Sequence, residues 1–189
     1  MNGFRLALVL LCLVCPLSAG AVDAPQPASA QARDLIARLQ LTPLPEVPGA
    51  YFRETYRSSA KAAAADRACA TSILYLLTGS LVDPWHRVAS DELFDYLGGA
   101  TLRLLLLKPD GTWEERRLGL ERDAEPQVMV PAGTWMAMTL AEQGAENWGL
   151  YSVWVVPGFD YADYATARSK DLAPRWPEAA ARMREMRIP

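Results

Sequence analysis

One histidine, His86, stands in the whole chain, inside the polar run Asp83-Pro84-Trp85-His86-Arg87-Val88-Ala89-Ser90-Asp91-Glu92. Glu92 follows it by six residues. On extended chain an even separation gives two side chains the same parity, so an imidazole and a carboxylate spaced this way can point into one interior. Such a pair can help to coordinate a metal or can shuttle a proton, the imidazole titrating near neutral pH while the carboxylate orients it. The same two residues also fit a hydrogen-bonded pair with no chemistry. Arg53, Arg57 and Gln127 can hydrogen-bond an anionic or polyhydroxylated ligand, since guanidinium forks match carboxylate and phosphate geometry. They equally suit cross-strand pairs with Glu54 or Asp91. Trp135 follows Pro131-Ala132-Gly133-Thr134 and offers either a wall on which a sugar ring stacks or a core side chain.

The charge balance narrows the partner. A net charge of −3 comes from interspersed acids and bases with no basic block, which argues against nucleic acid and for a small-molecule ligand.

The elements that must hold these residues begin after a leader. Arg5, the apolar run Leu6 to Leu17 and the small residues Ala19-Gly20-Ala21 form a secretory signal peptide over residues 1–21, with cleavage after Ala21. About a dozen apolar residues, interrupted by Pro16, fall short of the ~20 that cross a bilayer as a helix. The mature chain is therefore expected in the periplasm or secreted, with no membrane attachment. Neither Cys12 nor Cys15 is preceded by the small residue usual before a lipidated cysteine. Cleavage leaves roughly 165 to 170 residues, enough for one domain to bury a core without a staple. It also leaves Cys69 as the only cysteine, so no internal disulfide forms, and Cys69 reads as a small buried hydrophobe.

Residues 22–33, rich in Ala, Pro, Gln and Ser, read as a flexible lead-in. Asp34 can cap a short amphipathic helix through Leu35, Ile36 and Leu39. After the prolines at 43, 45 and 48, Tyr51 to Arg57 suits a strand, and the alanines at 60–65 a loop or helical turn. Then come short runs of β-formers closed by turn residues: Thr71 to Thr78, Leu93 to Leu97, Leu102 to Leu107, Trp113 to Leu118, Gln127 to Val130, Thr134 to Leu140 and Trp148 to Val156. Seven or more short strands with no long helix between them imply an antiparallel sandwich or small barrel. Pro157-Gly158-Phe159-Asp160 reads as a closing turn with Asp160 structural. Residues 34–167 form the domain. Residues 168–189 form a helical extension, with Ala179, Ala180, Met183 and Met186 near helical spacing, expected on the outside of the barrel.

Four stretches in register resemble a known family. They are Phe52-Arg53-Glu54-Thr55-Tyr56-Arg57-Ser58; Trp85-His86-Arg87-Val88 with Ser90-Asp91-Glu92; Pro126-Gln127 with Val130-Pro131-Ala132-Gly133-Thr134-Trp135; and Val156-Pro157-Gly158-Phe159-Asp160-Tyr161-Ala162-Asp163-Tyr164. They resemble the cupin superfamily, and more narrowly its cupin-5 family, a domain of unknown function. His86, Glu92 and Gly99 match the first cupin motif and Pro131-Ala132-Gly133 the second. The resemblance implies an all-β fold, the double-stranded β-helix or cupin jelly-roll barrel, with short flanking helices at the N- and C-terminal ends.

The resemblance also carries departures. Metal-binding cupins bring two further histidines, and the alignment puts Val88 and Met136 in their places. A valine or thioether cannot replace imidazole for Zn, Fe or Mn, so no tightly bound metal is expected. The usual Pro-Glu-Gly-Gly-Tyr lead-in is altered to Pro45-Glu46-Val47-Pro48-Gly49-Ala50-Tyr51. Metal-free cupins of the sugar-nucleotide epimerase type imply a pocket histidine as base and a tyrosine as acid. Here that means His86, with Glu92 beside it and Tyr96, Tyr56 or Tyr51 as candidates, Tyr96 foremost. The expected function is binding or isomerase-like transformation of a small polar molecule, sugar-like or anionic, with Arg53, Gln127 and Trp135 contacting it. A non-catalytic periplasmic binder with a vestigial pocket is the alternative, followed by a metal-dependent enzyme. Open sheet edges, which need covering, point to a homodimer.

Overall fold

Residues 27–63 and 66–189 are described by the computed structural model. The leader at 1–21 and the lead-in through residue 26 lie outside the described residues. The chain runs α1 (Ala30–Leu39), β1 (Thr42–Pro43), β2 (Ala50–Arg57), β3 (Thr71–Thr78), β4 (Val82–Arg87), β5 (Asp91–Gly99), β6 (Leu102–Leu107) and β7 (Trp113–Leu118). It continues through β8 (Gln127–Val130), β9 (Trp135–Leu140), β10 (Trp148–Val156), a 3-10 turn (Tyr161–Asp163), β11 (Ala165–Thr166), α2 (Ser169–Leu172), a second 3-10 turn (Pro177–Ala179) and α3 (Ala180–Glu185). The strands form two antiparallel sheets, ordered β1-β2-β3-β10-β5-β8 and β11-β4-β9-β6-β7. From β3 onward the chain passes back and forth between them, which is the jelly-roll arrangement. Among the described residues no helix is long and apolar enough to cross a membrane.

Each sheet is covered over part of its outer face, which explains the near-continuous apolar runs of β3 and β6. In β6, Leu102, Leu104 and Leu106 face the core between the sheets, with Phe94, Met138 and Tyr151. Leu105 and Leu107 face outward, onto the C-terminal extension with Trp85, Trp176 and Met183. In β3, Leu77 points inward and Leu76 outward, where Tyr51, Leu150 and the α1 residues Leu35, Ile36 and Leu39 cover it. Strands buried on both faces lose the polar alternation of half-exposed ones.

Helix α1 starts earlier than Asp34. Ser29 is its N-cap, with the Oγ accepting from the Ala32 amide at 3.3 Å. A hydroxyl at this position satisfies an amide that the first turn leaves without a partner. Lys61 and Ala68 form a bridge, residues 64 and 65 between them lie outside the described residues, and Cys69 beside the bridge is half-buried.

Strand β4 is the element that the sequence pattern hides. Its Asp-Pro-Trp-His-Arg core reads as polar loop, yet it pairs with β9 through Val82, Asp83 and His86, with a bulge between Asp83 and His86. Proline lacks the amide that a ladder needs, and a bulge is where a strand tolerates it. The extra residue shifts the alternation, so Asp83 and His86 both face the barrel interior while Trp85 faces out. Trp85 is fully buried there, and its Nε1 donates to Ser169 Oγ at 2.9 Å.

Trp85 thus fastens the C-terminal extension to the strand that carries His86. Trp85→Ala is expected to destabilise the fold by about 3 to 5 kcal/mol, as large-to-small core changes do. Thermal or denaturant unfolding checks this, and a loss under about 1 kcal/mol would show that the extension does not depend on this side chain.

Candidate functional site

Three crossings between the sheets meet at one end of the barrel: Val88 to Ser90 joins β4 to β5, Pro131 to Thr134 joins β8 to β9, and Pro157 to Tyr164 joins β10 to β11. The first two are tied together. The Gly133 amide donates to the Val88 carbonyl at 2.9 Å, and the Ala132 amide donates to Asp91 Oδ1 at 2.8 Å. Gly133 has φ +74, a left-handed conformation that glycine adopts without strain.

At this end the interior is left open as a cavity of about 480 Å³, within the range of small-molecule sites. His86 reaches it from the five-stranded sheet and Glu92 from the six-stranded sheet, so the two meet across the barrel, each on its own strand. Asp83, Tyr75 and Tyr164 line it beside them, and Glu46, Phe159 and Tyr161 stand at its more exposed side.

The His86 ring is fixed by its surroundings. Nδ1 lies 2.8 Å from the carbonyl oxygen of Pro84, the bulge residue. A carbonyl only accepts, so Nδ1 carries the proton and Nε2 is the atom free to take one. Tyr164 stacks on the ring with centroids 5.7 Å apart and 26° between planes. Asp83 Oδ1 lies 3.5 Å from Nδ1, and its other oxygen accepts from Tyr75 at 2.6 Å.

Glu92 is 7% exposed and has no hydrogen-bond partner among the described residues. Burial pushes its carboxyl up to about 7, the nearby His86 charge opposing and Asp83 adding to the rise. Burial likewise raises Asp83, against the pull of His86 and the Tyr75 hydrogen bond. Tyr75 is held well above its ordinary value by burial and by Asp83, and Tyr164 is raised chiefly by burial. The cavity therefore sets a carboxyl that holds a proton up to about 7 across from an imidazole whose Nε2 is not engaged by the Pro84 carbonyl.

The other candidates lie elsewhere. Arg53 falls between Phe52 and Glu54, which face the cavity, and so points out of the barrel. Gln127 donates to Asp95 at 2.6 Å, its direct cross-strand neighbour on the outer face. Trp135 lies on the outer face of β9 with Arg87 stacked over it at 4.7 Å. Tyr96 packs against Tyr151 away from the cavity and donates to the Gly99 carbonyl at 2.6 Å. Arg57 does reach the rim, paired through two hydrogen bonds to Glu54 at 2.9 and 2.6 Å. Asp160 caps the 3-10 turn by accepting from the Ala162 amide, and it also lines the cavity.

Sequence reasoning missed Asp83, Tyr75, Glu46, Phe159, Tyr161 and Tyr164. A signal existed for Asp83, because a proline inside a pairing strand marks a bulge and a bulge resets parity. Phe159, Tyr161 and Tyr164 lie in the Val156 to Tyr164 stretch, whose turn-forming proline and glycine masked them.

The family model described as Cupin superfamily (DUF985), Cupin_5, matches residues 33–167. The chain belongs to the cupin-5 family. A crystal structure of a protein from Shewanella oneidensis is 27% identical, with TM-score 0.71, over 86% of this chain and 98% of that one. A hypothetical protein from Leishmania major is 30% identical, with TM-score 0.71, over 84% of this chain and 98% of that one. No curated protein matches the chain.

Set in the cupin frame, Val88 faces the cavity and Met136 pairs directly with His86. The positions where metal-binding cupins place histidines thus hold an alkyl group and a thioether beside this imidazole. Among the described residues no three His, Cys, Asp or Glu side chains are grouped to hold a metal. The donor set does not fit a tightly held transition ion.

The raised Glu92 carboxyl has a consequence for stability. Between about 4.5 and 7 the folded state keeps a proton that the unfolded chain releases, so stability falls as pH rises through that window. Above it, the buried carboxylate costs on the order of 3 kcal/mol. Glu92→Gln is expected to raise Tm at pH 8, with the gain vanishing near pH 4.5. A melting series across this range checks it, an unchanged or lowered Tm at pH 8 being the contrary result.

Proposed function

We propose that this cupin-5 protein binds a small polar, hydroxyl-bearing molecule in the barrel cavity and moves a proton on it. The supporting observation is the pairing of His86 Nε2 with the near-neutral Glu92 carboxyl across one enclosed space. In an isomerase or epimerase cycle the C–H bond next to a carbonyl breaks. Its proton passes to Nε2, the electron pair moves onto the carbonyl oxygen, and Glu92 protonates that oxygen. The imidazolium then gives its proton to the former carbonyl carbon while Glu92 takes the proton of the hydroxyl on the carbon that lost its hydrogen, which forms the new carbonyl and restores both groups. Asp83 faces the imidazolium that forms and steadies it. No metal takes part in this scheme, consistent with the donor set. The reading also has the mature chain exported and acting as a homodimer that covers its open sheet edges.

A second reading, a binder without turnover, is favoured by one observation: Tyr96, the tyrosine expected as the acid, is committed to the Gly99 carbonyl away from the cavity.

Proton NMR in deuterated water, with a panel of aldoses, ketoses and uronates, separates the two. The enzyme exchanges a carbon-bound proton, and His86→Ala and Glu92→Gln each lower that rate by about 100-fold or more. Retained binding with no exchange in the unaltered protein rejects turnover and leaves the binder. Protein for this experiment, recovered from the exported fraction without chelator, is expected to start at Val22, run as a dimer and carry substoichiometric metal.

A further inference from the structure

The mouth of the cavity has a chemistry that acid–base catalysis does not use. Phe159, Tyr161 and Tyr164 form a cluster of three rings, with centroids 4.9 Å apart for Phe159 and Tyr161 and 6.3 Å for the other two pairs, each pair set edge to face. Tyr161 is 60% exposed although it lines the cavity, so an aromatic surface stands open at the entrance. Glu46 stands by the same rings, close enough for its charge to raise both tyrosines, and it makes no ion pair among the described residues.

The charge of the lining is lopsided. Five carboxyl groups, Glu46, Glu54, Asp83, Glu92 and Asp160, face two basic groups, Arg57 and His86. Arg57 is spent on Glu54. Two of the carboxyls are more than nine-tenths buried and short of partners: Glu92 has none among the described residues, and Asp83 Oδ1 accepts no hydrogen bond. With Glu54 offset by Arg57 and Glu92 holding its proton up to about 7, Glu46 and Asp160 still leave the entrance unfavourable to an anionic ligand. A weakly hydrated cation would meet ring faces, which attract it through their quadrupoles, and the acidic side chains Glu46 and Asp160 of the same lining.

We infer that the cavity takes an organic ammonium compound, its alkylated nitrogen held at the mouth by Phe159, Tyr161, Tyr164 and Glu46 while its polar body reaches His86 and Glu92. This deepens the proposed function by naming the ligand class for the same site, and it rests on that reading only for what the inner end does. It also decides against the anionic ligands considered from sequence.

The test uses choline, its neutral isostere 3,3-dimethylbutan-1-ol and the anion 3,3-dimethylbutanoate, titrated calorimetrically into the full mature chain. Choline is expected to bind at least about 10-fold more tightly than the isostere, and the carboxylate not at all. Glu46→Gln and Tyr161→Leu should each weaken choline several-fold while leaving the isostere unchanged. Both sites are exposed enough that circular dichroism and melting should match the unaltered protein. Equal binding of choline and isostere, tighter binding of the carboxylate, or no choline binding up to tens of millimolar overturns the inference. If choline fails while His86- and Glu92-dependent proton exchange persists, the ligand class falls and the acid–base reading stands. If choline binds but no exchange is found with any substrate, the converse holds.

Discussion

A carboxyl buried without a hydrogen-bond partner is expensive in proportion to its charge, and the organisation of this barrel follows from how Glu92 meets that constraint. The inward face of β5 commits Glu92 to the interior, between Val130 and Val155 on the flanking strands. Ionised, it would lose its hydration against only the partial offset of His86, so it holds its proton up to about neutral pH. Beside it lies open space, and across from it the imidazole of His86. A core packed to this end would have left only the penalty.

What places the imidazole there is the bulge at Pro84. Without the extra residue, strict alternation would send either Asp83 or His86 to the outer face. With it, both enter the cavity and the Pro84 carbonyl fixes the ring's tautomer. The bulged strand has β11, only two residues long, on its outer edge, so its support comes from Trp85 and the C-terminal extension packed behind it. The two motif segments that mark the family, around His86 to Glu92 and Pro131 to Gly133, are the sheet crossings that hydrogen-bond to each other at the cavity end. Near the other end of β5, Gly99 has φ +87, and a Cβ there would lie 2.3 Å from the Trp148 carbonyl oxygen.

Much of the barrel was legible because its strands are apolar runs closed by glycine or proline. Strands β3, β6, β7, β8 and β10 have the bounds that their composition suggests. Strand β4 was not, because its inward face is polar at Asp83 and His86 and its proline imitates a loop. The site was legible in its centre, His86 and Glu92, and not in its walls. Arg53, Gln127 and Trp135 each sit one residue from an inward-facing neighbour, Phe52, Val128 and Met136 respectively, and period-two geometry turns that single step into the opposite side of the sheet. Tyr96 has the inward parity but lies farther along β5, beyond the cavity, a distance that a local pattern does not reveal. The aromatic mouth comes from a connection rather than a strand, where no periodicity operates.

The central claim, that Glu92 keeps its proton near neutral pH inside the cavity, is open to direct measurement. Carbon-13 NMR titration of protein labelled at the glutamate side-chain carboxyl, with Glu92 assigned by its loss in Glu92→Gln, is expected to give a midpoint of about 7. A midpoint near the ordinary glutamate value of about 4.3 would contradict the account.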